Sequence, residues 1–396
     1  MVTALSVHNL LDGGWRTVLS IVGIGVAIVL IFMQLGFLGA VLDTAIVFYR
    51  NLDFELVARS PDYYQFVDPK TFSRNELDRI RNCPQVHAAQ PFHVSLAKWN
   101  YEQKSVQRGI LVMGVATTGQ TFASEDPEVE LPPLDRLVQD HQFLIDRTSR
   151  PRFLGEENRD PFTEQEIGLE IEINRRRCEL AGLFKIGTGL AADGAAIVNE
   201  HEFQRLFPNH SEKTVSLGFI QLTESAAKDP AAARDAIRNQ LGLNDHRGTS
   251  IELLTRDEVE RREIWHWLVN TPVGFIFISG VAVAFIVGAI IVYIVLSSDI
   301  SRQMGEYATL KAMGYPNRYL ARVVMEQAFI LGLISYLLAL GVSLVLYQIV
   351  GDLAKLPITM TLFRQLLVFV STLIMCGASG AIAMQKLRRA DPADLF

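Results

Sequence analysis

The side chains best suited to recognition chemistry cluster in one short stretch, 297–316, which holds Arg302, Glu306, Tyr307, Lys311, Met313, Gly314 and Tyr315. Glu306 and Lys311 supply opposite charges. Met313 and Tyr315 supply polarisable and aromatic apolar surface. The spacing of apolar and polar residues predicts a short amphipathic helix over 306–313, ended by Gly314 and Pro316. Such a helix can lay one face into a groove of a soluble partner, with Glu306 near the positive helix start. The same pattern also serves a helix that only anchors at an apolar interface.

Bond-making chemistry has no comparable cluster. Gly114-Val-Ala-Thr-Thr-Gly119-Gln120-Thr121 has the spacing of a phosphate loop, but Gln120 stands where a lysine must reach the phosphates, so a turn at a strand end is expected. No H-E-x-x-H, C-x-x-C or G-x-S-x-G occurs, and the 8 histidines are scattered with no pair at metal spacing on one helix. The run Arg175-Arg176-Arg177 reads as a solvated loop, with a contact for an acidic partner as the alternative. Of the 3 cysteines, Cys376 reads as a packing residue, while Cys83 and Cys178 lie where a disulfide could form. The expectation is a non-catalytic chain with no cofactor and no metal.

The elements that must hold 297–316 in place are apolar. Uncharged runs at 17–42, 273–296, 327–351 and 365–385 are each long enough to cross a hydrocarbon core of roughly 30 Å as a helix. The reading is a 1 + 3 arrangement: helices at 17–42, 272–296, 323–351 and 365–385, with a large polar domain at 43–271. Lys and Arg concentrate in 297–322 and 386–396, so the positive-inside bias places both, together with 1–16 and Arg16, in the cytoplasm. The domain 43–271 and the short loop 352–364 then lie outside. At 49% hydrophobic residues and net charge −6, the chain fits a membrane protein with one globular domain; the outer domain is the acidic part, which argues against nucleic acid and against docking flat on anionic lipid. Gly280, Ala284 and Gly288 repeat every four residues, a spacing that lets helix backbones approach either within one copy or between two. Glu326 is expected at the membrane interface, paired with Arg322.

The outer domain reads as α+β. Strands are expected at 53–59, 86–99, 105–115, 168–173, 177–183, 195–199, 215–222 and 249–254. Helices are expected at 71–82, with Ser73 and Glu76 as a capping box, at 200–207 and at 230–241. The first and last β–α–β stretches are expected to complete one split unit, with 117–210 inserted. A helix over 256–269 is expected to run straight into the second apolar run as a stiff lever, with Trp265, His266 and Trp267 as an interfacial belt.

The stretch Glu306-Tyr-Ala-Thr-Leu-Lys-Ala-Met-Gly-Tyr315 resembles the R-x-x-E-[IY]-[GA]-x-L-[KR]-A-[ML]-G coupling signature of the MacB/FtsX permease family, with Arg302 at or near its arginine. Phe32-Met-Gln-Leu-Gly-Phe37 and the closing Ala383…Arg388-Arg389-Ala-Asp391-Pro392…Leu395 resemble the same family. The segment 306–315 is most similar to its DevC-like branch of heterocyst glycolipid exporter permeases. The glycines at 13 and 14 depart from the family's basic N-terminal helix. The resemblance implies the permease subunit of a mechanotransmission ABC exporter in the inner membrane. A separate ABC ATPase would dock on Arg302, Glu306, Tyr307, Lys311, Met313, Gly314 and Tyr315. A second permease copy, a periplasmic adaptor, an outer-membrane channel and membrane lipid would be its other partners, and a lipid or other hydrophobic cargo would be exported. An FtsX-like transducer that controls a cell-wall hydrolase, and a lipoprotein-releasing permease, are the alternatives.

Overall fold

The computed structural model describes residues 14–100, 108–149, 162–188, 192–243, 251–354 and 358–389. Most of the N-terminal segment, the start of the strand expected at 105, the start of the one expected at 249 and the closing motif from residue 390 lie outside the described residues. The chain divides into two compact units, Met1–Val41 with Thr271–Phe396, and Leu42–Asn270.

The first unit is helical. Helix α1 spans Trp15–Ala45, and the later long helices span Pro272–Arg302, Asn317–Ala354 and Leu362–Arg389. All four are long and apolar enough to cross a membrane. Each extends past its uncharged run, because a helix ends at a stop signal and not at the first charged side chain. Ile24, Ile28, Ile31 and Phe32 place one stripe of α1 in a buried core, while Leu19, Val22, Val26 and Leu30 stay exposed. A helix that is apolar on every face suits lipid on the outside and packing on the inside. Polar side chains inside the unit find backbone partners: Ser379 Oγ donates to the Ala289 carbonyl at 2.7 Å, and Tyr336 Oη to that of Gln365 at 3.1 Å. A Cβ on Gly332 would meet Cys376 Sγ at 2.5 Å, so the buried thiol fills the space that the glycine leaves.

The second unit is built on a nine-stranded sheet. Its first strands are β1 (Leu56–Arg59), β2 (Phe72–Ser73), β3 (Val86–Asn100) and β4 (Arg108–Val115). They continue as β5 (Gln142–Asp146), β6 (Glu170–Ile173), β7 (Arg176–Phe184) and β8 (Gly194–Asn199), then β9 (Thr214–Val215), β10 (Leu217–Leu222) and β11 (Glu252–Thr255). The helix Arg74–Arg81 joins β1 to β3, and Pro230–Leu241 joins β10 to β11. Because β1 is antiparallel to both β10 and β11, and β10 to β3, the two β–α–β units interlock as β11-β1-β10-β3. The intervening strands β4 to β8 extend the same sheet. Trp99 and Asn100 of β3 also pair with Ile173 and Glu172 of β6, which closes β3, β4, β8, β5, β7 and β6 into a ring. Trp99, Phe143 and Ile173 fill its core.

Several local readings are corrected. Ser73 precedes its helix but makes no side-chain cap; it lies in the two-stranded pairing of β2 with β9, and Glu76 binds Arg79 at 2.8 Å instead. The arginine run is not a loop: Asn174 and Arg175 take positive φ as the two-residue turn of the β6–β7 hairpin, and Arg176 and Arg177 begin β7. Cys83 and Cys178 are free, buried thiols in separate cores, Cys178 held beside Glu202 at 3.3 Å. The lever is interrupted: the helix Arg256–Trp265 passes into a π turn at His266–Asn270, and Thr271 is extended at φ −114° and ψ 155° before Pro272. The proline ring excludes the helical conformation from the residue before it.

Candidate partner-docking site

Helix Pro272–Arg302 ends one residue before the short helix Met304–Ala312, and Asn317 opens the next long helix. The short helix expected over 306–313 is thus held between two long ones. The clamp rests on Tyr307, which is 3% exposed and belongs to the same buried cluster as Ile300, Leu320 and Val324. Its hydroxyl donates to Gln303 Oε1 at 3.1 Å. Burial, followed by the nearby Asp299 and Glu306 carboxylates, pushes the phenol up to about 12, so it stays a neutral donor.

The helix ends in a Schellman turn. Tyr315 N–H donates to the Leu310 carbonyl and Gly314 N–H to that of Lys311, both at 3.1 Å. Gly314 sits at φ +91°, a region that a side chain strains. Tyr315 leaves the turn with its ring 4.9 Å from that of Tyr319.

The remaining residues point outward. Arg302 and Glu306 are exposed, Lys311 is half-buried, Met313 is 62% exposed and Tyr315 40% exposed. The segment thus presents charges of both signs with a methionine and a tyrosine, while Tyr307 ties the same helix to the bundle. Arg322 Nε binds Glu326 Oε1 at 3.3 Å just beyond it.

The small residues of helix Pro272–Arg302 face inward. A Cβ on Gly280 would meet the Gln34 side chain at 2.6 Å; one on Gly288 would meet Met375 Sδ at 2.5 Å and Ala27 at 3.0 Å. Ala284 is buried. The chain's own helices pack against these three positions.

Other titratable clusters are structural. Buried Asp146 accepts from the amides of Ile186, Gly187 and Thr148. The Glu202 carboxylate binds Arg205, and its amide donates to the Asn199 side chain that caps the helix Glu200–Leu206. Glu200 bridges Arg74 and His93, both at 3.2 Å. Among the described residues no group of three His, Cys, Asp or Glu is placed to hold a metal ion.

Sequence reasoning passed over Glu263, which is 2% exposed and accepts from Tyr63 Oη at 3.1 Å. Nothing in its run of charged neighbours marks it; only the fold removes it from water.

No curated protein matches this chain. Among solved structures, the extracellular domain of the ABC-type transporter YknZ from Gram-positive bacteria matches with TM-score 0.33 and 12% identity, over 51% of this chain and 98% of that one. The periplasmic region of MacB from Actinobacillus actinomycetemcomitans matches with TM-score 0.35 and 8% identity, over 52% and 91%. With its four long apolar helices the protein is a multi-pass membrane protein. From the second of those helices to beyond the last, residues 278–392 match the family described as FtsX-like permease C-terminal, and the short helix with its exposed surface lies inside that match.

Proposed function

We propose that this chain is the non-catalytic permease subunit of an ATP-driven ABC exporter and that a separate cytoplasmic ATPase docks on its 302–315 surface. The observation that carries the reading is the coincidence of the permease-family match with an outward-facing helix locked to the bundle through Tyr307. Glu306 gives the ATPase a charged contact, and Met313 and Tyr315 enter an apolar pocket. Gly314 permits the sharp exit that presents them. Force applied there passes through Tyr307 into the two helices that flank the short one. The cycle is of the mechanotransmission type, with two permease copies moving their 43–271 domains on the outer face of the inner membrane. A periplasmic adaptor and an outer-membrane channel complete the path for a lipid or other hydrophobic cargo, as in DevC-like exporters.

The test is co-purification with the cognate ATPase and its stimulated turnover in nanodiscs. Glu306→Lys and Gly314→Val are expected to abolish stimulation and leave membrane insertion intact. Wild-type binding and stimulation by both variants would remove this surface as the coupling element.

A further inference from the structure

A cleft of about 600 Å³ opens in the Leu42–Asn270 unit beside the helix Arg256–Trp265, lined by Arg59, Tyr63, Tyr64, Arg261, Arg262 and Trp265 among others. A neighbouring cleft of about 490 Å³ shares Arg59, Glu258 and Arg262 with it and adds Arg234 and Arg238. The carboxylates here are already engaged. Glu252 takes both Arg59 at 3.0 Å and Arg262 at 2.5 Å, and Glu258 takes Arg234 at 2.5 Å. Glu263 is sealed beneath the Tyr63 hydroxyl. Arg261 and Arg238 have no carboxylate partner among the described residues. In a chain of net charge −6, this concentrates unspent positive charge in one place.

The walls beside the charge are aromatic. Tyr64 is 57% exposed and Trp265 61% exposed. Trp265 opens the run Trp265-His266-Trp267, and Pro272 a few residues later begins a helix long and apolar enough to cross a membrane. Guanidinium groups match phosphate oxygens in pairs, and exposed aromatic rings suit the boundary between headgroup and acyl chain.

We propose that this cleft binds the phosphate-bearing head of an anionic amphiphile, with Arg261 and Arg262 holding the phosphate and Tyr64 and Trp265 packing the stem beside it. Arg262 turns to the ligand at small cost because Arg59 remains on Glu252. The inference goes beyond the coupling reading and does not rest on it, since binding is measured on the permease alone, without ATPase or nucleotide.

The experiment is native mass spectrometry of the full chain in detergent, titrated with phosphatidylglycerol, phosphatidylcholine, inorganic phosphate or an acidic peptide. Lipid held around the apolar helices is common to all variants and cancels in the comparison. Phosphatidylglycerol is expected to bind in preference to phosphatidylcholine. Arg261→Gln with Arg262→Gln is expected to weaken it about tenfold, the scale of a lost charge-assisted contact. Trp265→Ala should weaken it several-fold, and Arg261→Lys should retain most of it. All three positions are exposed, so the variants fold. Equal retention of both lipids, wild-type binding by the double variant, or binding of inorganic phosphate as tight as that of the lipid would overturn the proposal. Saturation by the acidic peptide without the lipid would overturn it too, and would make the cleft a protein interface.

Discussion

Glu263 should make the Leu42–Asn270 domain less stable as pH rises. Its carboxyl is 2% exposed and accepts hydrogen bonds from Tyr63, the Phe66 amide and the Trp267 side chain. Burial dominates these donors and the nearby Arg59, and pushes the group from 4.5 up to about 7. The folded state therefore prefers the protonated acid. Below the unfolded value both states are protonated and the group costs nothing. Between about 4.5 and 7 the unfolded state ionises first, and stability falls; above 7 the loss is complete. A shift of this size corresponds to about 3 kcal/mol at full ionisation. In a domain of this length that is about 6–12 °C in Tm. Glu263→Gln keeps an acceptor for Tyr63 and cannot ionise. Thermal unfolding of the purified chain in detergent, followed by near-UV circular dichroism from pH 4.5 to 8, should show the two proteins alike at the acid end. The variant should be the more stable by several degrees at pH 8. Parallel curves across that range would refute the argument, because they would mean that water reaches the carboxylate in the folded state.

Arg256→Ala should destabilise the Leu42–Asn270 domain by about 2–4 kcal/mol in denaturant unfolding, since its guanidinium serves the carbonyls of Tyr49, Leu52 and Phe54 and stacks on the Phe54 ring. Gly288→Leu should cost about 1–3 kcal/mol and lower the melting temperature of the helical unit, because the space is taken by Met375 and Ala27. Reporter fusions at Asp126 and at Phe396 should give opposite signals, and like signals would sink the four-crossing topology.

The helices that cross a membrane were legible because their length and lack of charge are properties of composition. So was the Gly314 turn, where one residue type and one following proline suffice. The capping boxes show how local signals mislead. Ser73 and Glu76 have the pattern, but pairing with Thr214 and Val215 claims Ser73 for a strand. Thr255 and Glu258 have the same pattern and form the box, which only the neighbouring strand makes plain. The interruption at Thr271 is marked in the sequence by Pro272, which disfavours the helical conformation of the residue before it. The pairing of Trp99 with Ile173 was not readable, because it joins strands far apart in sequence and depends on the curl of the whole sheet. The burial of Glu263 and the grouping of arginines around the two clefts have the same origin.

The position of β1 in the sheet carries a consequence for how the protein is made. Its neighbours are β10 and β11, with Val57 opposite Phe219 on one side and Leu254 on the other, and Leu56, Val57 and Ala58 are all fully buried. The strand that leaves the ribosome first after α1 therefore waits, apolar and unpaired, for the last strand before Pro272. Arg256 then fastens the two ends together through Tyr49, Leu52 and Phe54. Closing contacts so distant in sequence is slow and leaves strand edges open to misassembly. The sheet of the Leu42–Asn270 unit can be completed only when nearly all of that unit has been made. A chain halted anywhere before 252 would present an incomplete sheet, with the β1 edge that β11 covers left open.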